Sequence, residues 1–407
     1  MVDEQNCRIC GGELEVVLDL GEIYPSSFLK PDEKLSEEDK APLVLAQCKD
    51  CSLVQLKHTI DLDLMYRQYW YSSSLNKSMI SSLSNIVSDI ESKIRLEDGN
   101  IVMDIGCNDG TLLSQYSSDL IKVGFDPALN LDRIPVMDYF INDFFSKEKY
   151  VGGKPRVITA IAMFYDLPDP NKFVSDVKEI LDYDGIFVIQ FTDLLSMFMA
   201  NAFDNICHEH LEYYKLSDVK GLLEKHGLEI IDVTYNYVNG GSVRITACHT
   251  GEYPKNPRVL NAVEFEKEFF RRVPMKVFAE AITETKEKVQ NFFRAADLLD
   301  LSCFSLGAST KGNTLFQLCG ITSLEIPYAA EVNKEKFGLR TGGSNITIIS
   351  EDEAFARNPD FFFVPIWHFE KSLLENEKIR DYVRNGGTLI FPLPMFHAIG
   401  KDDLKDD

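Results

Sequence analysis

The chain has 407 residues, 45% hydrophobic and 26% charged, enough for two or three soluble domains that each bury a core. Its formal net charge of −22 excludes a general polyanion-binding surface, so no nucleic-acid or anionic-membrane partner is expected. No apolar run approaches the roughly 18 residues that span a bilayer. The first residues lack both the basic start and the apolar core of a secretory signal, so the expected location is cytoplasmic.

In chain order, the first feature is a pair of CxxC knuckles, Cys7/Cys10 and Cys48/Cys51, separated by 37 residues. Nine cysteines in a chain of this kind favour metal ligation or burial over a disulfide framework. Two thiolate pairs suit one tetrahedral four-cysteine zinc site, and four protein sulfurs leave no open position for water or substrate. The metal is therefore expected to be structural. The intervening residues, with a charged run from Lys30 to Lys40, read as loop and short strands that need the metal to fold.

An aromatic and serine run, Tyr69-Trp70-Tyr71-Ser72-Ser73-Ser74, precedes a buried strand, Ile101 to Gly106, which ends in Asp104, Gly106, Cys107, Asn108, Asp109 and Gly110. A helix is expected from Thr111. The glycine spacing differs from the GxGxxG of a pyrophosphate site, and a short acidic-glycine loop suits a nucleoside ligand without phosphate. Asp126-Pro127 follows the next strand, 16 residues past Gly110, where a carboxylate can accept both ribose hydroxyls. Asn142, Asp143 and Phe144 then offer polar groups and an aromatic face to an adenine ring.

Strands at 157–163 and 186–191, helices at 171–181 and 216–226, a strand at 229–235 and a last strand entered through Gly240 to Arg244 complete an alternating βαβ pattern. The order of these features is that of a Rossmann-like, class I methyltransferase core binding S-adenosylmethionine. Within it falls Cys207-His208-Glu209-His210, with Tyr213 and Tyr214 just beyond. Acid and base side chains beside a methyl donor suggest proton removal from the substrate. Carbon is then the expected acceptor, because carbon methylation requires a carbanion. His208-Glu209-His210 falls two residues short of the HExxH zinc helix and does not suggest a metalloprotease.

From Pro254 to Ala296 the chain reads as charged helix broken at Pro274. A second α/β segment follows, with strands at 302–306, 361–367 and 388–392. Its glycine-rich turn, Gly307 to Thr314, leads into a helix and offers Lys311 and backbone N–H groups to a phosphate. The expected division is a zinc-binding module at 1–66, a methyltransferase domain at 67–250, a helical connector at 251–296 and a Rossmann-like α/β domain at 297–407.

These motifs together, CRICGG with CKDC, DIGCNDGTLL, GFDP, HEHLEYY, GGSVR and GASTKGNT, resemble the three-domain S-adenosylmethionine-dependent sugar C-methyltransferases that act on dTDP-linked 4-keto-deoxyhexoses. The resemblance covers nearly the whole chain. It implies a nucleotide-sugar substrate in deoxysugar biosynthesis, with His210 removing the proton next to the ketone and Glu209 positioning or polarising the site. It also implies an active-site tyrosine at Tyr69 or Tyr71, and substrate contacts from Lys311, Asn313, Tyr214 and Arg244. Cys207 stands where related sugar enzymes carry tyrosine, three residues before the base. A thiol donates more weakly than a phenol, so either the sugar oxyanion is supported from elsewhere, with His208, Tyr213 or Tyr214 the candidates, or the substrate differs from theirs. Two other readings are an O- or N-methyltransferase of a sugar or secondary metabolite, and a non-catalytic zinc scaffold. The intact donor loop, Asp126 and the HEH cluster count against the scaffold.

Overall fold

Strands buried on both faces of a parallel sheet are apolar at nearly every position, and the chain supplies such runs. They are Ile101–Ile105 (β1), Ile121–Phe125 (β2), Tyr139–Ile141 (β3), Val157–Ile161 (β4) and Ile186–Phe191 (β5), followed by Leu228–Asn236 (β6) and Ser242–His249 (β7). They form one seven-stranded sheet in the order β3-β2-β1-β4-β5-β7-β6, parallel from β3 to β5 and antiparallel at β7. This computed structural model describes residues 1–67, 70–130, 133 and 135–404, so Tyr69 lies outside the described residues.

The described chain divides into two units. The first comprises residues 1–15, 46–195 and 209–272, and the second 16–45, 196–208 and 273–407. In the first, alternation along the strands separates two apolar layers. Met103, Ile105, Ile158, Ala160, Phe187 and Ile189 face one layer, while Val102, Val157, Ile186 and Val188 face the other. Helix Lys77–Lys93 covers the second layer with Leu83, Ile86, Val87 and Ile90, the i, i+3, i+4, i+7 stripe of an amphipathic helix. Helix Pro170–Ile180 covers the first layer, its start fixed by Pro170 at the first turn and by Asp169, which accepts from Lys172 N–H at 2.9 Å.

The second unit holds an eight-stranded sheet whose five inner strands, Thr388–Phe391, Phe361–Phe363, Cys303–Leu306, Tyr328–Glu331 and Thr347–Ser350, run parallel. Short antiparallel strands flank them at both edges. Among the described residues no helix is long and apolar enough to cross a membrane.

Three elements differ from expectation. After Gly110 there is only a one-turn helix, Leu113–Gln115, because Ser117 and Asp119 bond each other and offer the backbone a competing turn. The strand from Phe361 ends at Phe363, and Trp367 begins a short helical turn. Between the cysteine pairs the strands are long, ten residues at Leu14–Ile23 and eight at Ala41–Cys48. The break at Pro274 falls as expected, between helices Arg258–Arg272 and Met275–Leu298.

Candidate active site

The loop after β1 leaves the sheet where neighbouring strands diverge, beside β4, at the carboxyl edge that binds ligands in open α/β sheets. Gly106 turns there with φ +74°, and a Cβ on it would sit 3.0 Å from Met163 Cγ, so only glycine fits without displacement. Asp126, at the end of β2, accepts from Asn108 N–H and Ala128 N–H, both at 2.9 Å. Each carboxylate oxygen keeps a lone pair for a further donor, which fits a ribose diol. Asn142 donates to the Asp126 and Ala128 carbonyls at 2.8 and 2.9 Å, so its amide shapes this edge.

Burial pushes the Asp126 carboxyl above its ordinary range. Burial pushes Asp104 further, up to about 7, with the Thr159 hydroxyl at 2.6 Å opposing the rise and the charge of Asp126 adding to it. Asp109 goes the other way. Burial works against its ionisation, but bonds from the Ser72 and Thr111 hydroxyls, both at 2.6 Å, and from Ser74 N–H hold it below the usual range.

The aromatic and serine run therefore docks on the donor loop. Ser73 N–H donates to Asn108 Oδ1 and Asn108 Nδ2 donates to the Tyr71 carbonyl, so Tyr71 is anchored by its backbone next to the loop. Arg67 holds the far side, reaching the Pro127 carbonyl and Asp143 at 3.4 Å each and lying 5.4 Å from the centre of the Phe144 ring. Asp143 is also paired to Lys149 at 2.7 Å, which holds its carboxyl below the usual range. Tyr66 packs edge-on to Phe144 and donates its hydroxyl to the Glu209 carbonyl at 2.8 Å.

His210 follows, its ring 4.1 Å from that of Tyr165 at the carboxyl end of β4. Leu211 N–H donates to the Tyr165 carbonyl at 2.7 Å. Beside it lies a buried group of acids. Burial, reinforced by the carboxylates of Glu209 and Glu212, pushes Asp166 well above its ordinary range. Glu212 is also pushed up by burial, with Arg8 opposing. Tyr66, Arg67, Tyr165 and Asp166 were not anticipated from the sequence, where nothing distinguishes them from ordinary packing and surface residues.

Cys207 and His208 group with the second unit, both 3% exposed, and His208 Nε2 lies 3.2 Å from the Ala41 carbonyl. There Lys311, at the start of helix Thr310–Cys319, donates to Asn205 at 3.0 Å, and Trp367 donates to Asp204.

Three predicted substrate contacts have internal surroundings in the structure. Tyr214 is fully buried between Phe164 and Phe191, a core residue. Asn313 is also fully buried, its amide spent on Ser27 and Ser344. Arg244 is tied to Gln190, Asn85 and Asp89 along β7, which commits its guanidinium to internal groups.

The four cysteines come together in the first unit, their Sγ atoms all within 4.8 Å of one another, with Cys7–Cys51 at 3.5 Å and Cys10–Cys48 at 3.4 Å. A tetrahedral zinc with Zn–S bonds of about 2.3 Å needs sulfurs roughly 3.8 Å apart, so the cluster fits the metal. Each knuckle closes alike. Gly11 N–H donates to the Cys7 carbonyl and Ser52 N–H to the Cys48 carbonyl, and both donor residues have left-handed backbones.

Three family models match in succession: a zinc binding domain over residues 7–66, a methyltransferase domain over 76–233 and a C-methyltransferase C-terminal domain over 237–394. With the sheet order and the donor edge, they make the chain an S-adenosylmethionine-dependent methyltransferase with a structural zinc site. Its similarity to C-methyltransferase NovU of Streptomyces niveus is 28% identity over 416 residues, covering 98% of each chain. Among solved structures, magnesium protoporphyrin IX methyltransferase of Synechocystis with bound SAM is 14% identical and covers 42% of this chain and 79% of its own, with TM-score 0.33. An S-adenosylmethionine-dependent methyltransferase of Clostridium acetobutylicum is 12% identical, covering 42% and 92%, with TM-score 0.35.

Proposed function

We propose that this enzyme methylates a carbon next to the ketone of a nucleotide-linked keto-deoxysugar, with His210 as the base. The observation that carries the reading is the place of His210 on Tyr165, two residues beyond Met163, the side chain that abuts Gly106 of the donor loop. A base is thereby held beside the loop that receives the donor. Bound S-adenosylmethionine supplies an electrophilic methyl group. The chain's residues do the rest: Asp126 takes the ribose hydroxyls, Asn142, Asp143 and Phe144 border the adenine, and His210 accepts the proton from the acidified C–H. Glu209, next to His210 in the chain, contributes a carboxylate to this end of the site. NovU carries the description C-methyltransferase, which supports carbon over oxygen or nitrogen as the acceptor.

The test uses a dTDP-linked 4-keto-6-deoxyhexose and donor labelled with carbon-13 in its methyl group. The product should show the labelled methyl coupled to a ring carbon. In deuterated water the substrate should exchange the proton next to its ketone. His210→Ala should lose both transfer and exchange by about a hundredfold to ten-thousandfold while still binding S-adenosylhomocysteine. A label bonded to oxygen, or near-normal turnover by His210→Ala, would overturn the reading.

A further inference from the structure

Arg8 stands inside the first zinc knuckle, between Cys7 and Cys10, yet its side chain leaves the knuckle and is 2% exposed. Nη1 donates to the Leu56 carbonyl at 2.9 Å and to the Leu211 carbonyl at 3.2 Å. Nη2 donates to Thr59 Oγ1 at 2.8 Å, and Nε lies 3.6 Å from Glu212 Oε1. The main chain of Arg8 is equally fixed. Its N–H donates to Gln55 Oε1, and its carbonyl accepts from Asn171 Nδ2, both at 2.9 Å.

The acceptor that matters is Leu211, the residue after His210. Its carbonyl receives both Arg8 Nη1 and Leu56 N–H, while its own N–H, part of the peptide shared with His210, is bound to the Tyr165 carbonyl. On the other side of His210, the Glu209 carbonyl is held by Tyr66. The imidazole itself rests on the Tyr165 ring. A guanidinium can serve the Leu56 carbonyl, the Leu211 carbonyl and Thr59 at once because its donors form a rigid planar fork; an ammonium offers one point of charge and cannot span them.

We propose that Arg8 is a positioning residue for His210, so that the zinc knuckle, besides folding the amino-terminal module, fixes the register of the segment carrying the base. This rests on the reading of His210 as the base, but its test measures where the imidazole sits and not whether it takes a proton.

The full-length protein is labelled with carbon-13 at its histidine rings, and the His210 signal is assigned by its absence in His210→Gln. The contact with the Tyr165 ring, centroids 4.1 Å apart and planes inclined by 47°, displaces that signal through the aromatic ring current, and Tyr165→Leu sets the size of the displacement. Arg8→Met and Arg8→Lys should each lose most of it, while zinc content and calorimetric affinity for S-adenosylhomocysteine stay as in the parent. Arg8→Lys preserves charge and packing, so it reports even if Arg8→Met fails to fold. An unmoved His210 signal in both folded variants overturns the proposal. Loss of zinc or of S-adenosylhomocysteine binding in both also overturns it, since Arg8 would then serve the folding of the knuckle alone. Failure of the base assignment would show separately, as retained turnover in His210→Ala.

Discussion

Asp126 and His210 are held in place by very different lengths of chain. Asp126 is fixed by Asn108 and Asn142, 18 and 16 residues away, and by Ala128 just after it. The backbone on either side of His210 is held by Tyr66, 143 residues from Glu209, and by Arg8, 203 residues from Leu211. The Asp126 end of the donor edge is thus a local product of two adjacent parallel strands and the loops at their ends, to which the serine run and Arg67 are added from 35 to 76 residues away. The proposed base is a product of tertiary assembly, and the knuckle that supplies Arg8 folds around a metal. Local sites survive distant damage, whereas assembled ones share the stability of every part that builds them.

Breaking the knuckle should separate the two most sharply. Cys48→Ser removes one of four sulfurs, and structural zinc contributes roughly 10 kcal/mol or more of folding free energy in small modules that depend on it. The expected outcome is loss of bound zinc by elemental analysis, a large fall in thermal stability and loss of methyl transfer. S-adenosylhomocysteine binding at low temperature should be largely kept, because no donor-edge residue lies in the knuckle. Loss of donor binding in step with zinc would erase the distinction between the two regions.

That difference also decides what was legible in the sequence. The donor edge could be read because its parts fall in order within one stretch, from Asp104 to Phe144, and because a turn such as Gly106 demands a particular residue type. The four cysteines were legible for a similar reason: a metal leaves its ligand spacing in the chain. Arg8, Tyr66, Arg67 and Asp166 were not, since their roles come from contacts between distant segments. Tyr214 and Asn313 show the opposite difficulty. Their place near recognisable motifs suggested a ligand, but Tyr214 packs between aromatic rings and Asn313 is spent on serines inside the second unit. Polar groups next to a motif are as often needed to satisfy the interior as to meet a substrate.

A second prediction probes the donor edge through acidity. Asp104 is buried and its carboxyl is raised from an ordinary value of 3.8 to about 7. The folded state therefore holds this proton more tightly than the unfolded state does. The associated stability is fully present below about pH 4 and is lost as pH rises through about 7. Asp104→Asn, which imitates the protonated form, should match the parent in acid and exceed it by on the order of a few kcal/mol above neutrality. Thermal denaturation of both proteins across this range, without cofactor, gives the difference curve. A variant less stable than the parent at pH 8 would mean that the charged carboxylate is favoured in the fold.

The smallest expected change sharpens the locality of the donor edge. Asp126→Ala removes the acceptors for the ribose hydroxyls and those for Asn108 and Ala128 N–H. Hydrogen bonds to a charged group are worth about 1.5–3 kcal/mol each, so losing one net ligand bond lowers S-adenosylhomocysteine affinity by roughly tenfold to a hundredfold. Asp126→Asn, with one carbonyl oxygen left to accept from Asn108 or Ala128, should keep the loop in place and lose less. Calorimetric titration measures both. Zinc content and the His210 ring signal should remain those of the parent, because Asp126 contributes none of the bonds that hold Leu211 or Glu209. Unchanged affinity in Asp126→Ala would move the ribose elsewhere. A displaced His210 signal would show that the two regions are coupled through the Tyr66–Phe144 contact, where the segment after β3 touches the residue that holds Glu209.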